Sequence, residues 1–300
     1  MRSNRMTSRM LVAALAGLGL AACGSGPKQP ATAPTTTSAI TAPTAPDTTE
    51  VATTTTGQPP AATQDVRVYF LRGDKLDVAH RTVVTTPQIA AAAMTQLLAG
   101  PTPADIAAGL ATTVPAGTRL LGINLADGIA TVDLSGGFAG GGGSLSMTAR
   151  LAQVTYTLTQ FPTVTGVVLH LDGKAVTVLG GEGIILDHPA TRASFESLTP
   201  VILVESPGSG STLDSPIRVT GSANVFEAQF QAELTDATGA LLARQTVHAT
   251  SGTGTRGTFD TTLSYHLAAS GPATLTVYDT SPRDGSRVDV ARIPLRLLAS

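Results

Sequence analysis

Hydrophobic and polar positions follow one rhythm up to about residue 190 and another from about residue 200. In the first stretch, Val66, Val68 and Phe70 alternate with Arg67, Tyr69 and Leu71, which predicts a strand, and Leu76 to Val84 predicts a second. Ala90, Ala93, Met94, Leu97 and Leu98 then recur at helical spacing. Thr86-Pro87 is suited to start that helix, as N-cap and first helical residue, and Gly100-Pro101 to stop it. Leu121, Ile123 and Leu125 lead through Asp127-Gly128 into Ala130, Val132 and Leu134, the pattern of a hairpin on a two-residue turn. A second helix is expected from about Ser144 to Gln160, with Met147, Leu151, Val154 and Leu158 on one face. Val167, Leu169 and Leu171 then pass through Asp172-Gly173 to Val176 and Val178, a second such hairpin. Residues 65–190 thus read as a two-layer α+β domain, two helices on one mixed sheet.

Beyond a linker at 191–199, residues 200–300 follow the strand period alone. Phe226, Ala228, Phe230, Ala232 and Leu234 share one parity, opposite Glu227, Gln229, Gln231 and Glu233, as in a strand with one wet face. Six more strands are expected at 201–205, 217–221, 240–248, 258–265, 273–279 and 287–297. In the last, Val288 and Val290 share a parity that Ile293, Leu295 and Leu297 break, so a bulge or bend near Pro294 is expected. Seven short strands with Gly, Pro and Ser turns give an all-β immunoglobulin-like sandwich. It lacks the Cys and Trp core of antibody domains.

The first 64 residues carry neither pattern. Arg2, Arg5 and Arg9 precede an apolar run from Met10 to Ala22, the layout of a signal peptide over residues 1–22. That run is shorter than the roughly 20 apolar residues of a membrane-spanning helix. Residues 31–64 contain 13 Thr, eight Ala and five Pro. With almost no large apolar side chain, such a segment does not bury enough surface to offset its chain entropy, so residues 23–64 read as a disordered tether.

Composition narrows the function classes. The 300-residue chain has 19 Lys and Arg against 21 Asp and Glu, a formal charge of −2. Without the three leader arginines the remainder has 16 cations against 21 acids, or −5. Neutralising phosphates needs clustered cations, so a nucleic-acid partner is excluded. The one cysteine, Cys23, leaves both domains without a disulfide or a thiolate metal site.

Patterns that imitate active sites fail on context. Gly252 to Gly257 fits G-x-G-x-x-G, yet it continues into a strand and not a helix, so it reads as a turn. Gly137 to Ser144 approaches a phosphate loop, but Gly143 stands where the lysine is required. His80, His170, His188, His248 and His266 are too far apart for a helical ligand pair. His188 beside Asp187 has no nucleophile elbow, and Asp127 and Asp172 precede glycines in turns. No catalytic, cofactor-binding or metal residue is assigned. Polar loop positions at Ala223–Asn224 and Ser281–Ser286 are candidate partner contacts. The rival reading is a peptidoglycan hydrolase, or an accessory subunit of one, using acids such as Glu182 and Asp187.

Three resemblances complete the picture. Leu20-Ala21-Ala22-Cys23-Gly24 resembles a bacterial lipobox. This implies cleavage between Ala22 and Cys23, a diacylglyceryl thioether on Cys23, N-acylation of its new amino terminus, and anchoring at the extracytoplasmic face of the cell membrane. Val66–Leu71, Met94–Thr102, Gly128–Leu134 and, most strongly, Ala152-Gln-Val-Thr-Tyr-Thr-Leu-Thr-Gln160-Phe-Pro162 resemble the GerMN domain, named after a spore-germination and sporulation protein. That family carries an acid early in its second helix, and Ser146 to Arg150 contains none. Ser206-Pro207, Ser215-Pro216, Gly221 to Ala228, Gly257-Thr-Phe259 and Tyr278 to Ser286 resemble the immunoglobulin-like domain that accompanies GerMN in bacterial lipoproteins. Together they imply a non-enzymatic envelope lipoprotein whose partners are envelope proteins or cell-wall polymer.

Overall fold

Strand β1 (Thr63–Arg72) and strand β2 (Lys75–Val84) form a ten-pair antiparallel hairpin closed at Arg72 and Lys75, with Gly73 at φ +62° in the turn. The computed structural model describes residues 61–181 and 183–300, which lie within one compact unit. Ala22, Cys23 and Glu182 lie outside the described residues.

Helix α1 follows at Ile89–Leu98, two residues later than Thr86-Pro87 suggests. The Thr86 hydroxyl accepts the Gln88 N–H at 3.1 Å, closing a local turn ahead of the helix. The sequence reading has no counterpart for α2 (Pro103–Ala107). Here Thr102 and Asp105 form a reciprocal capping box with proline at the first position. Next come β3 (Leu110–Ala111), β4 (Leu120–Ala126), β5 (Ile129–Leu134), α3 (Ser144–Leu158), β6 (Gly166–Leu171), β7 (Lys174–Ala175), β8 (Val178–Leu179) and β9 (Ile184–Ile185). Asp127-Gly128 and Asp172-Gly173 both take the two positive-φ positions of a tight hairpin turn, as the Asp-Gly pairs predict.

The α+β class holds, with the sheet divided. Strands run β2-β1-β3 in one part and β4-β5-β6-β7 in the other, where only β5 and β6 are parallel. The reason lies in α3, which is buried nearly all round from Met147 to Leu158. Its apolar face enters the core, while a polar stripe at 153, 157 and 160 occupies the free edge of β1. Gln153 Nε2 donates to the Tyr69 carbonyl at 3.1 Å, and the Thr157 hydroxyl accepts the Tyr69 N–H at 3.3 Å. Gln160 accepts the Arg67 N–H at 2.8 Å and donates to the Arg67 carbonyl at 2.6 Å. Along Arg67–Tyr69, α3 and Gln160 just beyond it therefore supply the hydrogen bonds a neighbouring strand would supply, and on this edge β1 keeps only its short pairing with β3 at Leu71 and Arg72.

The second domain contains β10 (Ile202–Ser206), β11 (Thr212–Leu213), β12 (Ile217–Ala223), β13 (Gln229–Asp236), β14 (Leu241–His248), β15 (Gly257–Leu263), β16 (Gly271–Thr280) and β17 (Arg287–Leu297). Sheet β10-β12-β15 faces sheet β11-β17-β16-β13-β14 over an apolar core. Phe230 and Phe259, one from each sheet, meet nearly edge-on with ring centroids 4.9 Å apart and fill the centre. Strand β17 does bulge, but at Asp289, which takes φ +52° where the register slips opposite Val277 to Asp279, and not at Pro294, which pairs in regular register with Thr274. The expected long strand from Phe226 is shorter. Glu227 and Ala228 adopt positive φ, β13 begins at Gln229, and Phe226 is 63% exposed.

Candidate functional site

Strand β10 is shared between the two cores. Its alternation sends Ile202 and Val204 into the sandwich and Leu203 into the α+β core. Glu205, next on the Leu203 side, is 8% exposed and gathers three groups from two elements. Its Oε1 accepts from the Tyr69 hydroxyl and from Arg192 Nη1, both at 2.5 Å, and its Oε2 from Arg67 Nη1 at 3.2 Å. Arg192 begins the 3₁₀ segment Arg192–Leu198 that links the domains. Its guanidinium lies 4.7 Å from the Tyr156 ring centroid, and its Nε donates to the Thr159 hydroxyl at 2.9 Å.

The electrostatics follow from burial and pairing. Burial pushes the Glu205 carboxyl up, but Arg192, Arg67 and the Tyr69 hydrogen bond outweigh it and hold it below the usual range. Burial, then the Glu205 charge, push the Tyr69 phenol far above its ordinary value. Burial alone would lower Arg192, yet Tyr69 and Glu205 beside it hold it above. The cluster is a closed set of one carboxylate, two guanidiniums and a neutral phenol.

A second pin works in the opposite direction. Glu196 of the linking segment takes Arg256 in a two-pronged pair at 2.9 and 3.0 Å. Asn224 Nδ2 donates to the same carboxylate at 2.9 Å, and Arg256 Nη2 also donates to the Pro200 carbonyl at 2.8 Å. Arg256's hydrogen bonds are the main reason Glu196 lies below the usual carboxylate range. His80 completes the contact, with Nδ1 on Asp65 and Nε2 2.9 Å from the Glu205 carbonyl. Gly208 sits against that imidazole, where a Cβ would lie 2.5 Å from Cδ2.

Beside this junction runs a cleft of about 880 Å³, lined by β2, β10 and residues 290–294 of β17. Arg72 pairs with Asp77 at 2.6 Å and Arg81 with Asp105, so most of the charge along its wall is already matched.

The remaining candidates separate. Ala223 is fully buried and Asn224 is spent on Glu196 and on the Gly254 N–H, so that loop is part of the junction and not a free partner contact. Ser281–Ser286 closes on itself, with Asp284 accepting from both the N–H and the hydroxyl of Ser286. His188 and Asp187 lie 3.8 Å apart, both well exposed. His170 lines a shallow depression with Asn124, Thr131 and Asp133. The glycine run before α3 is held from within. Arg150, 4% exposed, donates to the carbonyls of Phe138 at 2.7 Å, Gly140 at 2.9 Å, Gly141 at 2.7 Å and Thr113 at 2.7 Å. Among the described residues no cluster of His, Cys, Asp or Glu has the spacing of a metal site, and no helix is long and apolar enough to cross a membrane.

Of the junction residues, the sequence singles out only Asn224, and that as a candidate partner contact. Tyr69, Glu205 and Arg192 are 136 and 13 residues apart along the chain, so no local pattern joins them. The polar stripe of α3 has a local signal, since 150, 153 and 157 recur at helical spacing beside the apolar face.

Comparison with known families agrees with this architecture. Residues 67–177 match Germane, described as "Sporulation and spore germination". Residues 201–286 match Gmad2, the "Immunoglobulin-like domain of bacterial spore germination". The chain thus carries a GerMN domain followed by its immunoglobulin-like companion. Among solved structures it is similar to the tandem GerMN domains of the sporulation protein GerM from Bacillus subtilis, at 15% identity and TM-score 0.39. That match covers 80% of this chain and 62% of the other, less than two thirds of its length. The first GerMN domain of the same protein matches at 21% identity and TM-score 0.35, over 43% of this chain and 98% of that one. A candidate lipoprotein from Clostridium perfringens matches at 21% identity and TM-score 0.34, over 46% and 93%. A search of curated proteins found no match.

Proposed function

We propose that the protein is a non-enzymatic envelope lipoprotein. It is anchored through Cys23 on the extracytoplasmic face and presents its paired domains for assembly with envelope proteins or for binding cell-wall polymer. The observation that carries this reading is the junction. Two guanidiniums and a phenol converge on the buried Glu205 carboxylate and hold the two domains in one orientation, which suits a scaffold that presents a fixed surface. The two domain families, both described in terms of sporulation and germination, support a role in envelope assembly. The tether, rich in Thr and Pro, sets that surface away from the lipid.

Three experiments test the reading. Cys23→Ala abolishes metabolic lipid labelling and leader cleavage; labelling that survives the substitution removes the anchor. Crosslinking in intact envelopes recovers defined partners with the native chain and fewer with Glu205→Gln. Release of muropeptides from peptidoglycan by the purified chain, lost in Glu182→Gln or Asp187→Asn, overturns the non-enzymatic assignment in favour of a hydrolase.

A further inference from the structure

Strand β4 is a sheet edge of a different kind from the others. It lies at the end of β4-β5-β6-β7, and its sequence, Leu-Leu-Gly-Ile-Asn-Leu-Ala, has no charge and no proline. The other edge strands longer than two residues each contain a charged residue: β2, β10, β14 and β15, together with β17 where it runs past β11. Several are also blocked. The Val78 N–H on β2 is taken by Asp77 and the His80 carbonyl by Arg81, while β17 has its bulge and Pro294. Charges, prolines and bulges are the means by which folded proteins keep strand edges from pairing, and β4 has only a bulge at its first turn, between Leu120 and Gly122.

The open groups can be read from the register. The Asp127-Gly128 turn is closed by the pair Ala126 and Ile129, so Ala126 and Asn124 bond to β5 and the intervening residues do not. Ile123 and Leu125 therefore direct their N–H and C=O groups away from the sheet. Among the described residues no side chain caps them, in contrast to the α3 side chains that cap β1. Leu121 and Leu125 are 48% and 47% exposed on the same side of the strand.

We infer that β4 pairs antiparallel with β4 of a second copy of this chain. The strand is self-complementary about a two-fold axis at Asn124. Ile123 then stands opposite Leu125 of the second copy and exchanges backbone hydrogen bonds with it, and the leucine side chains pack across the seam. Charge supports this occupant. Arg119 lies just before the strand and Asp127 just after it, both exposed and both with side chains lacking a partner among the described residues. Antiparallel pairing brings opposite ends together. The bulge absorbs one residue of register, so Arg119 falls within one residue step of Asp127 of the second copy, once at each end. The result is a continuous eight-stranded sheet. The inference is independent of the lipid anchor and of any partner protein.

The test is sedimentation equilibrium of the full chain in non-ionic detergent with reductant, over a range of concentrations. A monomer–dimer equilibrium is expected. Arg119→Glu places two acids at each end of the seam and weakens the dimer about 10-fold or more. Leu125→Pro removes a donor that β5 does not use, and abolishes the dimer with an unchanged circular dichroism spectrum. A chain that stays monomeric up to about 1 mM, the weak end of specific association, overturns the inference. So does a dimer that either substitution leaves unchanged.

Discussion

Buried polar side chains, more than apolar ones, give this fold its particular form. Gln153, fully buried, serves the Tyr69 carbonyl, the Thr113 N–H and two threonine hydroxyls at once. Gln153→Leu keeps the volume but strands those groups, and we expect a loss of about 2–4 kcal/mol in urea denaturation. Arg150 is a buried cation answered by carbonyl oxygens and not by a carboxylate, and burial lowers its pKa. Arg150→Met should free the glycine run 137–143, seen as faster amide exchange there before any change at β10. Thr155 is the converse case: its hydroxyl is buried with no hydrogen-bond partner among the described residues. Thr155→Val is expected to be neutral or stabilising by up to about 1 kcal/mol, and a clear loss in the melting temperature would contradict that account.

At the scale of elements, β10 decides how the two domains meet. Its single alternation feeds two cores, so a small displacement is felt on both sides. Gly221 of β12 lies against it so closely that a Cβ would sit 2.0 Å from the Leu203 carbonyl. Gly221→Ala must therefore push β10 off its neighbour. The expected result is a chain whose Tyr69 and Tyr156 environments change together in near-ultraviolet circular dichroism, although neither tyrosine is in the sandwich.

Over the whole molecule, the junction predicts cooperative unfolding. The native chain should melt in one calorimetric transition, because the Glu205 and Glu196 clusters couple the domains. Glu205→Gln leaves Arg192 and Arg67 without their counter-charge in a largely buried site, at a cost of about 3 kcal/mol, and should split the transition in two. The pH dependence follows the same groups. Glu205 and Glu196 have folded values below their ordinary 4.5, so their contribution is complete above that pH and is lost as the pH falls through the folded values. Tyr69 has a folded value above its ordinary 10.0, so stability declines again once the pH passes 10.0 and the unfolded chain alone ionises. A melting temperature flat between those limits, falling on both sides, is the expected profile.

Periodicity alone determined the two-domain order, the Asp-Gly hairpins, the second helix and the presence, though not the place, of the β17 bulge. Each of these rests on neighbours within a few residues, where backbone geometry and side-chain parity are the same thing. Composition likewise distinguished residues 1–64, which follow neither period. Only the tertiary structure decided that the first sheet is divided, that Phe226 stands outside its expected strand, and that Asn224 belongs to the junction. It also decided that Tyr69, Arg192 and Glu205 meet. Those outcomes depend on which polar groups find partners between separate elements, from 13 to 136 residues apart along the chain. Hydrogen bonds of that range leave no periodic trace, since they are chosen by the packing of whole elements and not by the spacing of residues within one.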